Sequence, residues 1–256
     1  MSNTKEVSKR QARREQIRRK EVMGRRIGIG LITIGALLVA FLIIWPNVQP
    51  VTGVNAVAAN PRPLADSNHM GDPKAPVKIL EFSDFQCPFC EKFFKETEPS
   101  LVKSYISTGK VYFTYRTTGN WVSKNIGGGK TESEDAAKSV YCAGDQNKFW
   151  EMHDALFGNV LGEDAGSFTD RRLSTIAGKA GLDVNQFNDC YTSNKYQAQS
   201  DQDTKDALAA GVQGTPSFIL TYTDASGKEV SQLIEGAQPF SVFQEKIDAA
   251  LTASSK

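Results

Sequence analysis

The chain has 256 residues, 40% of them hydrophobic and 23% charged, with a formal net charge of +1. That composition sets aside disordered, collagenous and low-complexity classes, and it suffices for one sizeable domain or two small ones. The near-neutral total conceals an asymmetry. Residues 1–26 hold ten Lys/Arg against three Glu, a surplus of +7, while 20 basic and 26 acidic residues leave −6 on the remainder.

Residues 27–45 (IGIGLITIGALLVAFLIIW) are nineteen residues without a charge. A helix of that length reaches roughly 28 Å, close to the hydrocarbon thickness of a bilayer. The ten positive charges precede it, so the positive-inside rule makes residues 1–26 a basic cytoplasmic tail and exports everything after residue 45. Trp45 and Pro46 suit the outer interface, as an aromatic and a helix stop. A buried core helix could be as apolar, but the Lys/Arg cluster directly before the stretch argues for a span. The better rival is a cleaved signal peptide, because Ala56-Val57-Ala58 has the A-x-A form. The apolar stretch is too long for that, and the site too far from its end, so an uncleaved anchor is expected. Topology also accounts for the basic run without nucleic acid. The lipid bilayer is thus an expected partner, through residues 27–45.

Residues 46–70, rich in Pro, Asn and Ala without apolar periodicity, read as a linker. At Val77 to Phe82 a short apolar run marks a buried strand, and a helical pattern (Phe93, Phe94, Leu101, Val102, Tyr105, Ile106) follows, kinked near Pro99. Val111 to Tyr115 is a second strand, so the order implies a parallel β-α-β unit. Gly119 to Ser133 reads as a loop and Glu134 to Ala210 as several short helices. Strands return at Ser217 to Tyr222 and Glu229 to Ile234, around a turn at Asp224 to Gly227, before a last helix from Phe240 to Leu251. The whole is an α/β sheet with a helical insertion.

Four cysteines beyond a membrane span lie where disulfides are permitted. Cys87-Pro88-Phe89-Cys90 falls at the junction of a strand and a helix. Unpaired N–H groups and the partial positive charge at a helix N-terminus stabilise a thiolate on the first cysteine. Pro88 suits the first turn because it has no N–H to lose. Cys90, one turn inward, is placed to attack a mixed disulfide held on Cys87. A c-type haem would need His after the second cysteine, where Glu91 stands; tetrahedral zinc would need a second close ligand pair. Neither a metal nor another cofactor is expected. A structural short-loop disulfide remains the plain alternative. Two further signals are set aside: Gly127-Gly128-Gly129-Lys130-Thr131 is no phosphate loop, because Lys124 occupies the required glycine position, and His153 suits a structural hydrogen bond. Trp121 is either a substrate contact or a loop anchor.

With these residues in place, the segment Glu81 to Cys90 (EFSDFQCPFC) resembles the active-site segment of DsbA-like thioredoxin-fold proteins. Gly214-Thr215-Pro216-Ser217-Phe218 looks like their second signature, a loop bearing a cis-proline, and Tyr141 to Asp154 resembles their helical insertion. The resemblance implies a thioredoxin fold, residues 71–118 and 212–256, with an inserted helical domain, residues 119–211, preceded by one N-terminal transmembrane helix. It implies Cys87 as nucleophile, Cys90 as resolving thiol, Pro216 after a cis bond, and Thr215, Pro88 and Phe89 against the substrate. Glu81 would be a buried acid relaying a proton to Cys90, an edge-exposed strand residue being the plainer reading. Cys142 and Cys190 would form a disulfide between helices of the insertion, two buried free thiols being the alternative; closing that loop contributes about 4 kcal/mol in the chain-entropy model.

The activity so implied is donation of the Cys87–Cys90 disulfide to reduced exported proteins, with a membrane quinone-linked thiol oxidase as recycling partner. One departure matters: strongly oxidising DsbA proteins carry His between the cysteines, and Pro88-Phe89 has none, so a less oxidising protein is expected. The rivals are a tethered disulfide reductase or isomerase, a metal-delivery or assembly factor, and a scaffold with an inert disulfide.

Overall fold

A computed structural model describes residues 3–58 and 60–254, and among them the side chains at 13–45, 48–58 and 60–254. Residues 1, 2, 255 and 256, at the ends of the expected tail and domain, and Ala59 in the expected linker lie outside the described residues. The chain divides into two compact units, Met1–Pro50 and Val51–Lys256.

The first unit is one helix, α1 (Asn3–Val48). Within Arg13–Trp45 an 18-residue window has a mean hydropathy of 2.8, and the helix is long and apolar enough to cross a membrane. Its apolar side chains stand exposed, as at Ile32 and Leu37, a surface suited to lipid. Pro46 is not the stop expected of it. The helix runs on to Val48, because a proline this near the end removes only a last ladder bond.

In the second unit, five strands form one sheet in the order β1-β3-β2-β4-β5. They are β1 (His69–Met70), β2 (Val77–Ser83), β3 (Val111–Thr117), β4 (Ser217–Thr223) and β5 (Glu229–Glu235). β2 and β3 pair in parallel and every other pair is antiparallel. The crossover is α2 (Pro88–Glu96) and α3 (Glu98–Leu101), which continues as a π-helical turn, Val102–Ile106. The expected kink is a full break at Thr97, with Pro99 in the first turn of α3, where no N–H is required. The β4–β5 hairpin turns at Gly227, whose φ of +84° favours glycine, while Asp224 Oδ1 accepts from the N–H groups of Ser226 and Lys228.

Between β3 and β4 lie α4 (Trp121–Ile126), α5 (Glu132–Gly144), α6 (Phe149–Phe157), α7 (Asp170–Lys179), α8 (Val184–Thr192) and α9 (Gln197–Ala209); α10 (Phe240–Ser254) ends the fold. Alternation along β2 and β3 sends Val77, Ile79, Glu81, Val111, Phe113 and Tyr115 to one face. α2, α6 and α10 cover that face, with Phe93 4.5 Å from Phe218 and Phe218 4.9 Å from Phe243 between ring centroids. Phe82, on the other face, packs with Ala207 of α9 and Val212. The main core thus joins one face of the sheet to the inserted helices, and the Phe82 cluster is a smaller one on the other face. Cys142 of α5 and Cys190 of α8 are disulfide-bonded with Cα atoms 5.8 Å apart.

Three further sequence expectations need correction. The region 119–133 is not all loop, since α4 forms there and Trp121 packs beside Phe82, as an anchor. β1 has no periodicity to announce it, being two residues long; its partner strand and Asn68, which exchanges hydrogen bonds with Tyr115, define it. Residues 46–70 are a linker only in composition. From Thr52 onward the segment is strapped to the domain: the Thr52 carbonyl accepts from Arg172, the Asn55 backbone exchanges two bonds with the Asn159 amide, and Asn60 N donates to Asp154. A segment without apolar periodicity can still dock through its backbone polar groups.

Candidate active site

β2 leads directly into the cysteine pair. Cys87 caps α2 in an extended conformation, and its carbonyl accepts the first helical bond, from Glu91 N, at 3.1 Å. Pro88 and Phe89 point outward, Phe89 being 61% exposed, whereas Cys87 is 6% and Cys90 0% exposed. The chain returns past this helix end in the loop before β4, where the Thr215–Pro216 bond is cis. Cys87 Sγ donates to the Thr215 carbonyl at 3.2 Å, and Cys90 Sγ accepts from Asp84 N at 3.4 Å. Both cysteines are free thiols.

The two thiols differ in what surrounds them. Cys87 is brought down to about 6, chiefly by a hydrogen bond from the Cys90 thiol, with Thr215 and the N–H groups of Phe89 and Cys90 adding to it. Burial pushes Cys90 well up, and the neighbouring Cys87 and Glu81 push it further. Glu81 is 2% exposed, lies between Tyr115 of β3 and Phe218 of β4, and is raised well above the carboxylate range by burial and then by Glu98. It is not at an exposed edge. One carboxylate oxygen of Glu81 has no hydrogen-bond partner, and neither do the hydroxyls of Ser83, Tyr115 and Thr117, which share its face of the sheet.

Sequence reasoning placed Cys87, Cys90, Glu81, Thr215, Pro216, Pro88 and Phe89 in one site, and the fold brings all seven to the head of α2 and the adjoining strands. Two residues of the same segment were missed as supports. Buried Asp84 accepts from Gln86 N and Val122 N, each at 2.9 Å, and burial raises its carboxyl. Gln86 donates to Ser123 Oγ and Ser133 Oγ and accepts from Asp164 N, tying α4, the start of α5 and the 160–168 loop to the residue before Cys87. Only their position beside Cys87 could have signalled this. His153 is fully buried among aromatic rings with Nδ1 3.0 Å from Asp154 Oδ1, a structural placement.

A parallel β-α-β unit with a dithiol at the head of its helix, faced by a cis-proline loop and interrupted by a helical insertion, is the DsbA-like form of the thioredoxin fold. The thioredoxin family model matches residues 65–236, and the chain belongs to that family. The probable disulfide bond formation protein D of Bacillus anthracis is 29% identical over 153 residues, covering 59% of this chain and 68% of that protein. The crystal structure of oxidised BdbD from Bacillus subtilis superposes with a TM-score of 0.60 at 20% identity, covering 77% of this chain and all of that one. The Na(+)/H(+) antiporter NhaA 1 of Salinispora arenicola is 25% identical over 206 residues, 76% of this chain, which spans only 29% of that longer protein.

Proposed function

We propose that the chain is a membrane-anchored thiol–disulfide oxidoreductase that forms disulfides in exported proteins through Cys87 and Cys90. The observation that carries this reading is the placement of the thiols: Cys87, at the head of α2 and facing the cis-proline loop, has its thiolate favoured chiefly by the Cys90 thiol, and Cys90 is buried behind it with its ionisation pushed well up. In the oxidised protein a substrate thiolate attacks Cys87 Sγ, breaking the Cys87–Cys90 bond; Cys90 departs as thiolate and takes a proton from Glu81. A second substrate thiolate attacks the substrate sulfur of the mixed disulfide, and Cys87 leaves as its stabilised thiolate. The substrate loses two electrons and the cysteine pair gains them. Thr215, Pro88 and Phe89 line the approach to Cys87, and Cys142–Cys190 secures the insertion. A membrane quinone-linked thiol oxidase restores the disulfide.

The ten basic residues before Ile27 support a cytoplasmic N-terminus, lipid contact through residues 27–45 and an extracytoplasmic catalytic domain. The test is disulfide transfer to a reduced, unfolded protein by the full chain in detergent. Cys87→Ser is expected to abolish it and Cys90→Ser to accumulate covalent substrate adducts; transfer by Cys87→Ser would refute the mechanism. A reduction potential at or below thioredoxin's roughly −270 mV would overturn the oxidising direction and leave a reductase.

A further inference from the structure

The sulfur that leaves when a thiolate attacks the Cys87–Cys90 disulfide is that of Cys90, and Cys90 is 0% exposed. Water does not reach the charge that gathers there, and an unsolvated ion in an apolar interior is costly. A protein group must meet it. The N–H of Asp84 is in place to do so, donating to Cys90 Sγ at 3.4 Å.

That N–H belongs to the peptide group between Ser83 and Asp84, where β2 ends. Both sides of the group are held. On one side, the Ser83 carbonyl accepts from Thr118 N at 2.8 Å and from Thr118 Oγ1 at 3.2 Å. On the other, the Asp84 carboxylate fixes the turn that follows. Its Oδ1 accepts from Gln86 N and its Oδ2 from Val122 N of α4, each at 2.9 Å. The Asp84 carbonyl closes the same turn by accepting from Cys87 N at 3.0 Å. Ser83, Asp84 and Thr118 are all fully buried, so these bonds face no competition from water. The backbone of Asp84 thus touches both cysteines, and its side chain braces the chain between them.

We propose that the Asp84 N–H is the hydrogen-bond donor for the departing Cys90 sulfur and that the Asp84 carboxylate aims it. This rests on the reading of Cys90 as the leaving thiol. In the step concerned a thiolate, that of glutathione in the assay, attacks Cys87 Sγ. The glutathione–Cys87 bond forms, the Cys87–Cys90 bond breaks, and the electron pair stays on Cys90 Sγ. The Asp84 N–H holds that charge until the proton arrives from Glu81. A donor fixed beforehand needs no reorganisation as the charge appears, and its bond strengthens as the sulfur becomes negative. In the return step the same donor meets the Cys90 thiolate as it attacks the mixed disulfide.

Neither resting state carries this thiolate. The oxidised protein holds a disulfide, and burial keeps the Cys90 thiol protonated in the reduced one. The donor therefore alters rates in both directions and leaves the reduction potential where it was. Two substitutions separate aim from charge. Asp84→Asn keeps an oxygen for Gln86 N, and with it the turn, but gives up the bond to Val122 N. Asp84→Ala gives up both. Each removes a carboxylate whose charge opposes a neighbouring thiolate, so an effect of charge alone would speed both variants. Loss of the tether to α4 alone would slow both. Aim alone slows Asp84→Ala and spares Asp84→Asn.

The experiment is reduction of the oxidised full chain in detergent by glutathione at neutral pH, with the mixed disulfide trapped by acid and counted by mass. The reduction potential is measured beside it in glutathione buffers. Asp84→Ala is expected to react about tenfold more slowly, the scale of one hydrogen bond to a developing charge. Asp84→Asn should restore at least the wild-type rate, with the potential unmoved in both. Equal rates in the two variants overturn the proposal. So does a potential shifted by about 30 mV in Asp84→Ala, the equilibrium equivalent of tenfold. Should Asp84→Ala fail to fold, Thr118→Val takes its place, since it removes one of the two bonds to the Ser83 carbonyl. It is expected to slow the reaction about threefold, the effect of a weakened aim, and an unslowed Thr118→Val overturns the proposal. An oxidised wild type that does not exchange with glutathione removes the reading of the cysteine pair, and the proposal with it. A wild type that exchanges while the variants do not separate leaves that reading standing, and only the role of Asp84 fails.

Discussion

The ionisation of Cys87 turns the geometry of the site into a number. An ordinary thiol of this type ionises at 9.0, and Cys87 is brought to about 6. At neutral pH the folded thiol is then about nine-tenths ionised and its unfolded counterpart about one-hundredth, a difference worth about 1.4 kcal/mol in favour of the folded, reduced protein. The oxidised form has no thiol to titrate, so the same term raises the two-electron potential by about 30 mV over an unperturbed pair. Because the folded value is depressed, the stabilisation grows as pH rises from about 6 toward 9 and is lost as pH falls through about 6. The assay is thiolate ultraviolet absorbance and the rate of iodoacetamide alkylation of Cys87, against pH, on the reduced full chain. A half-point near 6 is expected, moving upward in Cys90→Ala, which removes the largest stabilising hydrogen bond. A half-point near 9 would refute the electrostatic account, and an unchanged half-point in Cys90→Ala would refute its assigned cause.

Replacing Cys142 and Cys190 together by Ala opens a loop of 48 residues' separation and should cost about 4 kcal/mol by denaturant unfolding, while Cys87 keeps its alkylation profile. Gln86→Leu strands the Asp164 N–H and should cost about 1–3 kcal/mol, with faster hydrogen exchange over residues 119–133 and 160–168. Gly158→Ala places a Cβ 2.4 Å from Val57 Cγ2, so residues 55–58 should be displaced and become the first site of limited proteolysis. Unchanged proteolysis there would show that the strap is not held at Gly158.

What the sequence disclosed and what it withheld divide along a physical line. The strands β2, β3, β4 and β5 announced themselves because their faces are buried or half-buried, which forces a periodicity on side chains. Cys87 and Cys90 were legible because strand, turn proline and helix leave only one arrangement for a C-x-x-C at their junction. The strap was not legible. Its attachment runs through the backbone of Thr52, Asn55 and Asn60 and the single side chain of Arg62, and backbone bonding leaves no trace in hydropathy. Glu98 was hidden differently, since a glutamate in a helix is by default a solvated one, and only the fold buries it against Arg62. The break at Thr97 rather than a kink at Pro99 is the same kind of miss: a proline fixes what cannot continue, but the packing decides where the chain restarts.

The groups that lower Cys87 bear on the direction of exchange. They are a thiol, the Thr215 side chain and backbone N–H groups, with no cationic side chain among them. The missing histidine between the cysteines therefore does not leave Cys87 unactivated; it limits how far activation goes. A value of about 6 falls between the roughly 7 of thioredoxin and the roughly 3.5 of DsbA. At neutral pH that ionisation is worth about 1 kcal/mol more than thioredoxin's and about 3 kcal/mol less than DsbA's, or about 20 mV above the one and about 70 mV below the other. The thiolate alone thus gives an oxidant of intermediate strength, nearer thioredoxin than DsbA. Such a pair donates disulfides only while something keeps it oxidised, because a compartment can be held oxidising by the rate of reoxidation instead of by equilibrium. The electrostatics of Cys87 set how fast the chain exchanges. Under the proposed function, a recycling partner, reached through the step in which Cys90 must lose its proton, would then set which way the exchange runs.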